Sequence, residues 1–289
     1  MLFQRPEDFA NAPRHAVTVF GMAGVGKTRL AAMLQKSGWF HYSADYRIGT
    51  RYMGEQIVDN VKREAMAVPF LRDLLRSDSI YISSNITFGN LEPLSTYLGQ
   101  PGDPKRGGLT LREYQRRQQQ HRVAEIAALL DVPEFIDRAE VLYGYSDFIA
   151  DTGGSTIEVL DPNDAEDPIV RTLTANTALL HIRGTERDAE ELIRRFRASP
   201  KPMYYQPDFL VAKWAEYKAL KRVGHDDDVD PVDFGAWGFE ALLRDRLPRY
   251  QALADNFGYT VEAADVATIR DAGDFMALMA KAIASRPRA

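Results

Sequence analysis

The sequence predicts a three-layer α/β/α fold built on a parallel β-sheet. Short runs of β-branched and aromatic residues alternate with segments of helical periodicity, which is the pattern of consecutive βαβ units. No internal repeat and no long linker interrupts this order, so residues 1–289 are expected to form a single domain carrying an insertion at about residues 55–143. The predicted strands are residues 15–20, 40–43, 80–83, 148–150 and 178–182.

Five segments have the spacing of amphipathic or long helices. The segment 85–108 is rich in Pro, Gly and Asn and is predicted to be a loop. The predicted helices are residues 28–36, 111–130, 186–197, 239–257 and 274–285.

Composition excludes several classes of function. The chain has no cysteine, which excludes disulfides, thiolate metal sites and cysteine nucleophiles. Its net charge of −5 argues against a surface built to bind nucleic acid. No apolar run is long enough to span a membrane, and residues 1–14 lack the apolar core of a signal peptide. A cytoplasmic protein with no nucleic-acid or membrane partner is expected.

A glycine-rich segment after the first strand matches the phosphate-binding pattern GxxxxGK[ST]. Glycines let backbone N–H groups approach phosphate oxygens, and the positive end of the following helix faces the same anion. Lys27 is expected to reach the β- and γ-phosphates of ATP, and the Thr28 hydroxyl to ligate Mg²⁺. The expected nucleotide-binding residues are Gly21, Met22, Ala23, Gly24, Val25, Gly26, Lys27 and Thr28.

A second candidate lies at the end of the strand predicted at residues 148–150. Asp151 follows this apolar run, and ligands of open α/β sheets bind at the carboxyl ends of strands. Asp151 is therefore a candidate Mg²⁺ ligand, acting like the acidic residue that supports Mg²⁺ in other P-loop proteins. The alternative is that Asp151 caps the next segment.

Several motifs, in this order, resemble the shikimate kinase family of small-metabolite P-loop kinases. They are the phosphate loop, YSADYRIGTR at residues 42–51, TGGS at 152–155, ALLHI at 178–182, and RLPRY at 246–250. The resemblance implies a kinase with a helical lid at about residues 184–206. It implies substrate contacts from Asp45, Arg51, Gly153, Gly154 and Arg246, and catalytic roles for Lys27, Asp45, Arg194 and Lys201.

The sequence also departs from that family. Ser43 stands where the family has an acidic residue near the metal, and Asp151 is the candidate to replace it. The insertion at residues 55–143 is foreign to the family. Phosphoryl transfer from ATP to a hydroxyl of a small, anionic metabolite is the expected reaction, and the identity of the acceptor stays open.

Two other functions remain open at this stage. The chain could be a P-loop ATPase that switches a protein partner, or a nucleotide-binding regulator without catalysis. The guanine-specific motif NKxD is absent, which disfavours a GTPase. An acidic run at residues 225–230 and a polar helix face at 112–122 are both interpreted as solvated surface.

Overall fold

The computed structural model describes residues 1–287, which pack into two compact units. The first unit comprises Met1–Ala44, Leu129–Pro200 and Ala236–Ala289, and the second comprises Asp45–Ala128 and Lys201–Gly235. The second unit therefore includes most of the predicted insertion, together with a segment that begins in the last residues of the predicted lid. In residues 1–287, no helix is both long and apolar enough to cross a bilayer.

The first unit is built on a five-stranded sheet in which each neighbouring pair is parallel. The order is β2-β3-β1-β4-β5, so the chain leaves β1 in one direction and later returns to its other side. Such a reversal of strand order opens a crevice at the carboxyl ends of the central strands. The strands are β1 (Ala16–Phe20), β2 (Trp39–Ser43), β3 (Asp147–Asp151), β4 (Ala178–Arg183) and β5 (Gly258–Glu262).

The sheet confirms the predicted α/β class with a parallel sheet, and four of the five predicted strands. β1 is buried along its whole length, as expected of a central strand covered on both faces. The strand predicted at residues 80–83 is wrong, because that segment forms no ladder with any described strand. The strand β5 was missed, because it follows directly on a long helix without a turn signal.

All five predicted helices are present, four of them to within two residues at each end, and the helix predicted at 239–257 begins earlier, at Pro231. The other α-helices were not predicted, and among them residues 92–98 lie in the predicted loop. A π-helix, Ile48–Tyr52, follows the third α-helix. The α-helices are α1 (Pro6–Ala10), α2 (Lys27–Lys36), α3 (Ala44–Arg47), α4 (Gly54–Met66), α5 (Pro69–Arg76), α6 (Glu92–Leu98), α7 (Leu111–Leu130), α8 (Val132–Tyr143), α9 (Pro168–Asn176), α10 (Glu186–Ala198), α11 (Pro207–Lys221), α12 (Pro231–Phe257), α13 (Ala263–Thr268) and α14 (Ala272–Ser285).

Helices cover the sheet of the first unit. The α2 and α8 helices pack on β2 and β3, α9 packs on β4, and α13 and α14 pack on β5. Their contact faces are apolar: α14, for example, buries Phe275, Leu278, Met279, Ala282 and Ile283. Burying such side chains contributes roughly 1.5–3 kcal/mol each, which stabilises the layers on the sheet.

The second unit has a hydrophobic core of its own. It is formed by residues of the π-helix, α4, α6 and α7, by Met53 between the π-helix and α4, and by one residue of the segment that follows α5; its members are Ile48, Met53, Ile57, Ile86, Leu94, Tyr97, Ala124 and Ala128. The interpretation of residues 112–122 as a solvated helix face is only partly right, because Arg117, Gln118 and His121 are buried.

Candidate functional site

The phosphate loop leaves β1 through a glycine that no other residue could replace without rearrangement. Gly21 has φ of +137°, and a Cβ built on it would lie 2.6 Å from the carbonyl oxygen of Ile182 on β4. Gly26 precedes α2 with φ of +98°, in the left-handed region that glycine adopts without strain. The loop is thus pressed against β4 while its amides lead into the amino end of α2, a geometry suited to an anion.

Lys27 is the first residue of α2 and is buried. Its Nζ donates hydrogen bonds to the carbonyl oxygens of Gly21 (2.8 Å) and Met22 (2.9 Å). These bonds hold the ammonium group within the curve of the loop, and therefore close to any anion bound there. Thr28, the next residue, is exposed in the first turn of the helix.

Asp151 is the last residue of β3 and is buried beside β1, where it pairs in register with Val19. Its Oδ2 lies 3.8 Å from Nε2 of His41 on β2. The next residue, Thr152, donates from Oγ1 to the carbonyl oxygen of Val19 at 2.9 Å, which fixes the chain as it leaves the sheet. Asp151 thus lies at the carboxyl edge of the central strands, as predicted.

The oxygen donors of Thr28 and Asp151 are of the type that Mg²⁺ prefers. Within residues 1–287, no group of three or more His, Cys, Asp or Glu side chains is arranged to hold a metal. A Mg²⁺ ion is normally bound by one or two protein oxygens together with phosphate and water, so the donor set fits an ion that arrives with a nucleotide.

The glycine turn after β3 adjoins the phosphate loop. A Cβ built on Gly154 would lie 3.8 Å from the amide nitrogen of Ala23, 3.9 Å from Nη1 of Arg246 and 3.6 Å from the hydroxyl oxygen of Tyr250. The Tyr250 hydroxyl also donates a hydrogen bond to the carbonyl oxygen of Gly154. We call this convergence the Gly154 junction. It places a guanidinium group and a loop amide within reach of one point.

Arg246 is held at the junction by a buried carboxylate that the sequence did not indicate. Nε of Arg246 donates to Oε1 of Glu158 at 2.7 Å, and only 4% of Arg246 and 1% of Glu158 is exposed. The other oxygen of Glu158 lies 3.2 Å from Nη1 of Arg249, which also contacts Asp245. Glu158 lies in a short 3₁₀ helix far along the chain from α12, so no local pattern could reveal this pairing.

The predicted lid contains α10, which begins at a capping box formed by Thr185 and Asp188. Arg194, the predicted lid residue, pairs with Glu191 and is largely exposed. Its neighbour Arg195 lies nearer the phosphate loop, because a Cβ built on Gly24 would be 3.4 Å from Arg195 Nη2. The sequence prediction missed Arg195, since two adjacent arginines on a helix are not distinguished by spacing alone.

A cleft of about 700 Å³ opens beside the phosphate loop in the first unit. One side comes from the loop and α2, and the other from α13 and the residues that follow it. Most of its side chains are apolar, which suits a flat aromatic ring. The lining includes Gly24, Val25, Leu30, Met33, Val266 and Ile269.

His181 lies on β4 below the loop, with only 4% of its surface exposed. Its ring stacks on Phe20 (5.3 Å between centroids) and on Tyr250 (5.9 Å), and its Nδ1 has no hydrogen-bond partner among the described residues. Burial lowers the pKa of His181 to about 4, with further lowering by the charges of Arg183 and Lys27. The neutral imidazole of His181 therefore packs against both Phe20, which precedes the phosphate loop, and Tyr250, which bonds to Gly154.

Three of the predicted site residues belong to the second unit. Asp45 is half-buried in α3, Arg51 is exposed in the π-helix, and Lys201 is exposed in an irregular segment. Their predicted roles at a shared site remain predictions. The first unit holds the phosphate loop, Asp151, Gly153, Gly154, Arg194 and Arg246.

Comparisons with known proteins assign this chain to no family. No protein-family model matches the chain, and a search of curated proteins found no match. Among solved structures, the chain is similar to shikimate kinase from Bacteroides thetaiotaomicron, with 17% sequence identity, 86% of each chain covered and a TM-score of 0.35.

Replacing His181 should reduce the amount by which the free energy of unfolding falls at acid pH. The unfolded chain binds a proton at an ordinary pKa of 6.5, whereas folded His181 binds one only near pH 4, so stability is full above pH 6.5 and falls as the pH falls through this window. From pH 7 to 4, the wild-type free energy of unfolding should drop by up to roughly 3 kcal/mol more than that of His181→Gln. Urea unfolding at several pH values measures both slopes, and parallel profiles would contradict the assignment.

Proposed function

We propose that this chain is an ATP-dependent phosphotransferase that passes the γ-phosphoryl group to a hydroxyl of a small metabolite. The observation that carries the proposal is the Gly154 junction. A phosphate loop alone would serve an ATPase equally well. A guanidinium and the amide of Ala23, both within 4 Å of the Cβ position of Gly154, would in addition bind an anionic second substrate beside the glycine turn.

The triphosphate would bind along the loop amides, with the amino end of α2 and Lys27 offsetting its charge. Thr28 and Asp151 would hold Mg²⁺, which when bound neutralises charge on the phosphate oxygens. The adenine ring would enter the apolar cleft between the loop and α13. Each of these contacts positions the phosphoryl group, and positioning with charge stabilisation is most of what this reaction needs.

The acceptor would bind against the Gly154 junction, where the absence of a side chain would let it approach the loop. Arg246 would bind an anionic group of the acceptor, and its Nε bond to Glu158 would fix the plane of the guanidinium. Gly153 would contribute a further contact. The resemblance to shikimate kinases implies, in addition, that Asp45 orients the acceptor hydroxyl and accepts its proton and that Arg51 contacts the acceptor. Arg195 would offset charge on the transferred group, a role that the resemblance implies for Arg194 and Lys201.

The function is tested by measuring ATP consumption against a panel of hydroxylated acids, sugars and nucleosides. A kinase should consume ATP slowly alone and at least ~10-fold faster with its acceptor, and Lys27→Ala should abolish the stimulated rate because it removes the charge aimed at the phosphates. Melting temperatures with and without ATP·Mg²⁺ report nucleotide binding separately. Full turnover without any acceptor would instead identify an ATPase, and turnover that survives in Lys27→Ala would reject the phosphate site.

The two adjacent arginines of α10 provide a matched pair of variants. Arg195→Ala should lower kcat about 100-fold, the usual cost of removing one group that stabilises transition-state charge. Arg194→Ala removes the same charge from the same helix and should change kcat by less than about twofold, because no atom of Arg194 lies within 4 Å of the Cβ position of Gly24 and its exposed side chain pairs with Glu191. Steady-state kinetics decide between them, and the reverse order would favour Arg194, the residue that the sequence predicts.

A second pair tests the acceptor site. Arg246→Ala should cost about 2–4 kcal/mol of acceptor binding and raise the acceptor KM about 30-fold or more, with little change in the ATP KM. Arg249→Ala is the control, because Arg249 also contacts Glu158 and its loss should lower the melting temperature without changing the acceptor KM. If both variants lose stability and neither changes KM, Arg246 serves only to pair with Glu158, and the acceptor need not be anionic.

A further inference from the structure

A segment of the second unit has the alternating burial of a strand but belongs to no sheet. Residues 79–86 follow α5 and alternate in burial, with Tyr81, Ser83 and Asn85 exposed and Ile86 buried in the unit's core. Among the described residues, no N–H group of 80–86 donates a hydrogen bond to another backbone group. Of the carbonyl groups in this range, only that of Asn85 accepts a hydrogen bond, from Asn90 Nδ2.

This segment lacks the features that normally keep an unpaired strand from binding another chain. Proteins protect such edges with charged side chains or proline. Residues 79–91, between Asp78 and Glu92, contain neither. Four large apolar side chains in the same stretch of chain are also exposed, by 45% for Val61, 47% for Val68, 70% for Phe70 and 88% for Tyr81. No side chain of the adjacent helix α5 is buried.

A pocket of about 330 Å³ borders the segment. Its walls come from α4, α6 and residues 82–85 of the segment itself, and the α4 side chains Ile57, Val58 and Val61 make one wall apolar. A strand added to this edge would therefore find backbone partners on one side and a recess for a side chain beside them, which is how β-strand addition achieves both affinity and specificity.

We propose that residues 80–86 pair antiparallel with the same residues of a second copy of this chain, forming a twofold symmetric dimer. Two copies of the segment can pair with each other because neither carries a charge, so no like charges would lie opposite each other. A twofold pairing also closes on itself and leaves no edge for further growth. Pairing of seven residues alone is small beside the roughly 800 Å² that each partner buries in a stable interface, so the exposed apolar side chains of α4 and α5 would supply the remainder.

Symmetry fixes the possible registers. When the twofold axis is perpendicular to the two-stranded ladder, the exposed side chains of both strands lie on the same face of the ladder. Two directly opposed residues must then both be exposed or both face inward. This holds only if one residue lies opposite the same residue of the other copy. The centre of residues 80–86 is Ser83, which is exposed. This register sets Tyr81 opposite Asn85, a residue of the pocket wall, and Ile80 opposite Ile86. Tyr81 of each copy would then occupy the pocket of the other. The dimer does not depend on the proposed reaction.

The absence of cysteine from the chain allows a direct test. Directly opposed residues of an antiparallel pair lie about 4.5–5.5 Å apart between Cα atoms, which is within the range of a disulfide. Under mild oxidation, Ser83→Cys should form a covalent dimer. Ser84→Cys, the same substitution one residue away, should not, because residue 84 lies opposite 82. Equal cross-linking of both variants, or none at Ser83, would overturn the register and the pairing.

The mass in solution provides the second measurement. Wild-type protein at micromolar concentration should have twice the chain mass by light scattering, and Tyr81→Lys should return it to the chain mass or loosen the dissociation constant about tenfold or more. Leu142→Lys is the control, since Leu142 is 65% exposed in the first unit and should leave the dimer intact. A monomeric wild type, including one that becomes larger only with another protein, would overturn the proposal.

Discussion

The first unit depends on how closely the phosphate loop approaches strand β4. Any side chain at residue 21 would collide with the carbonyl oxygen of Ile182, so the turn can leave β1 in this direction only through glycine. Because β1 lies between β3 and β4, the same turn delivers the loop amides and Lys27 to the carboxyl edge that also holds Asp151. His181 on β4 fills the space beneath, and its contact with Tyr250 extends this rigid support to the Gly154 junction.

The buried ion pair of Arg246 and Glu158 is better explained by the orientation that it gives the guanidinium than by a contribution to the stability of the fold. Taking Arg246 and Glu158 out of water costs several kcal/mol per ion, and their attraction roughly offsets that cost. An apolar pair could therefore stabilise the fold equally well. A guanidinium held at Nε by a buried carboxylate is fixed in orientation, whereas an exposed arginine without such a partner samples many rotamers. Order of this kind reduces the entropy lost when a ligand binds.

Features that depend on residues close together in the sequence were predicted, and features that depend on residues far apart in the sequence were not. The phosphate loop and strands β1 to β4 were predicted because glycine spacing and apolar runs are local signals. The segment 80–83 has equal strand propensity and yet forms no ladder, because propensity supplies no partner. Glu158, His181 and Tyr250 escaped prediction as site residues because each acts through neighbours distant in sequence. Arg195 escaped because the rotation of a helix about its axis decides which of two arginines meets the loop.

Helix α7 is a second case in which the sequence pattern did not reveal long-range contacts. Its polar face looked solvated in the sequence, yet Gln118 is buried, donates to the carbonyl oxygen of Met203 at 3.1 Å and accepts from the amide of Tyr205 at 2.8 Å. The hydroxyl of Tyr114, one turn earlier, donates to the same Met203 carbonyl. A side-chain amide with both a donor and an acceptor can thus replace the missing strand partner of an irregular segment, and burying it is favourable because its groups are satisfied. Spacing at intervals of three and four residues marks the inward face of a helix, whether the side chains on that face are apolar or polar. Long-range hydrogen bonds decide whether a polar side chain is stable on that face.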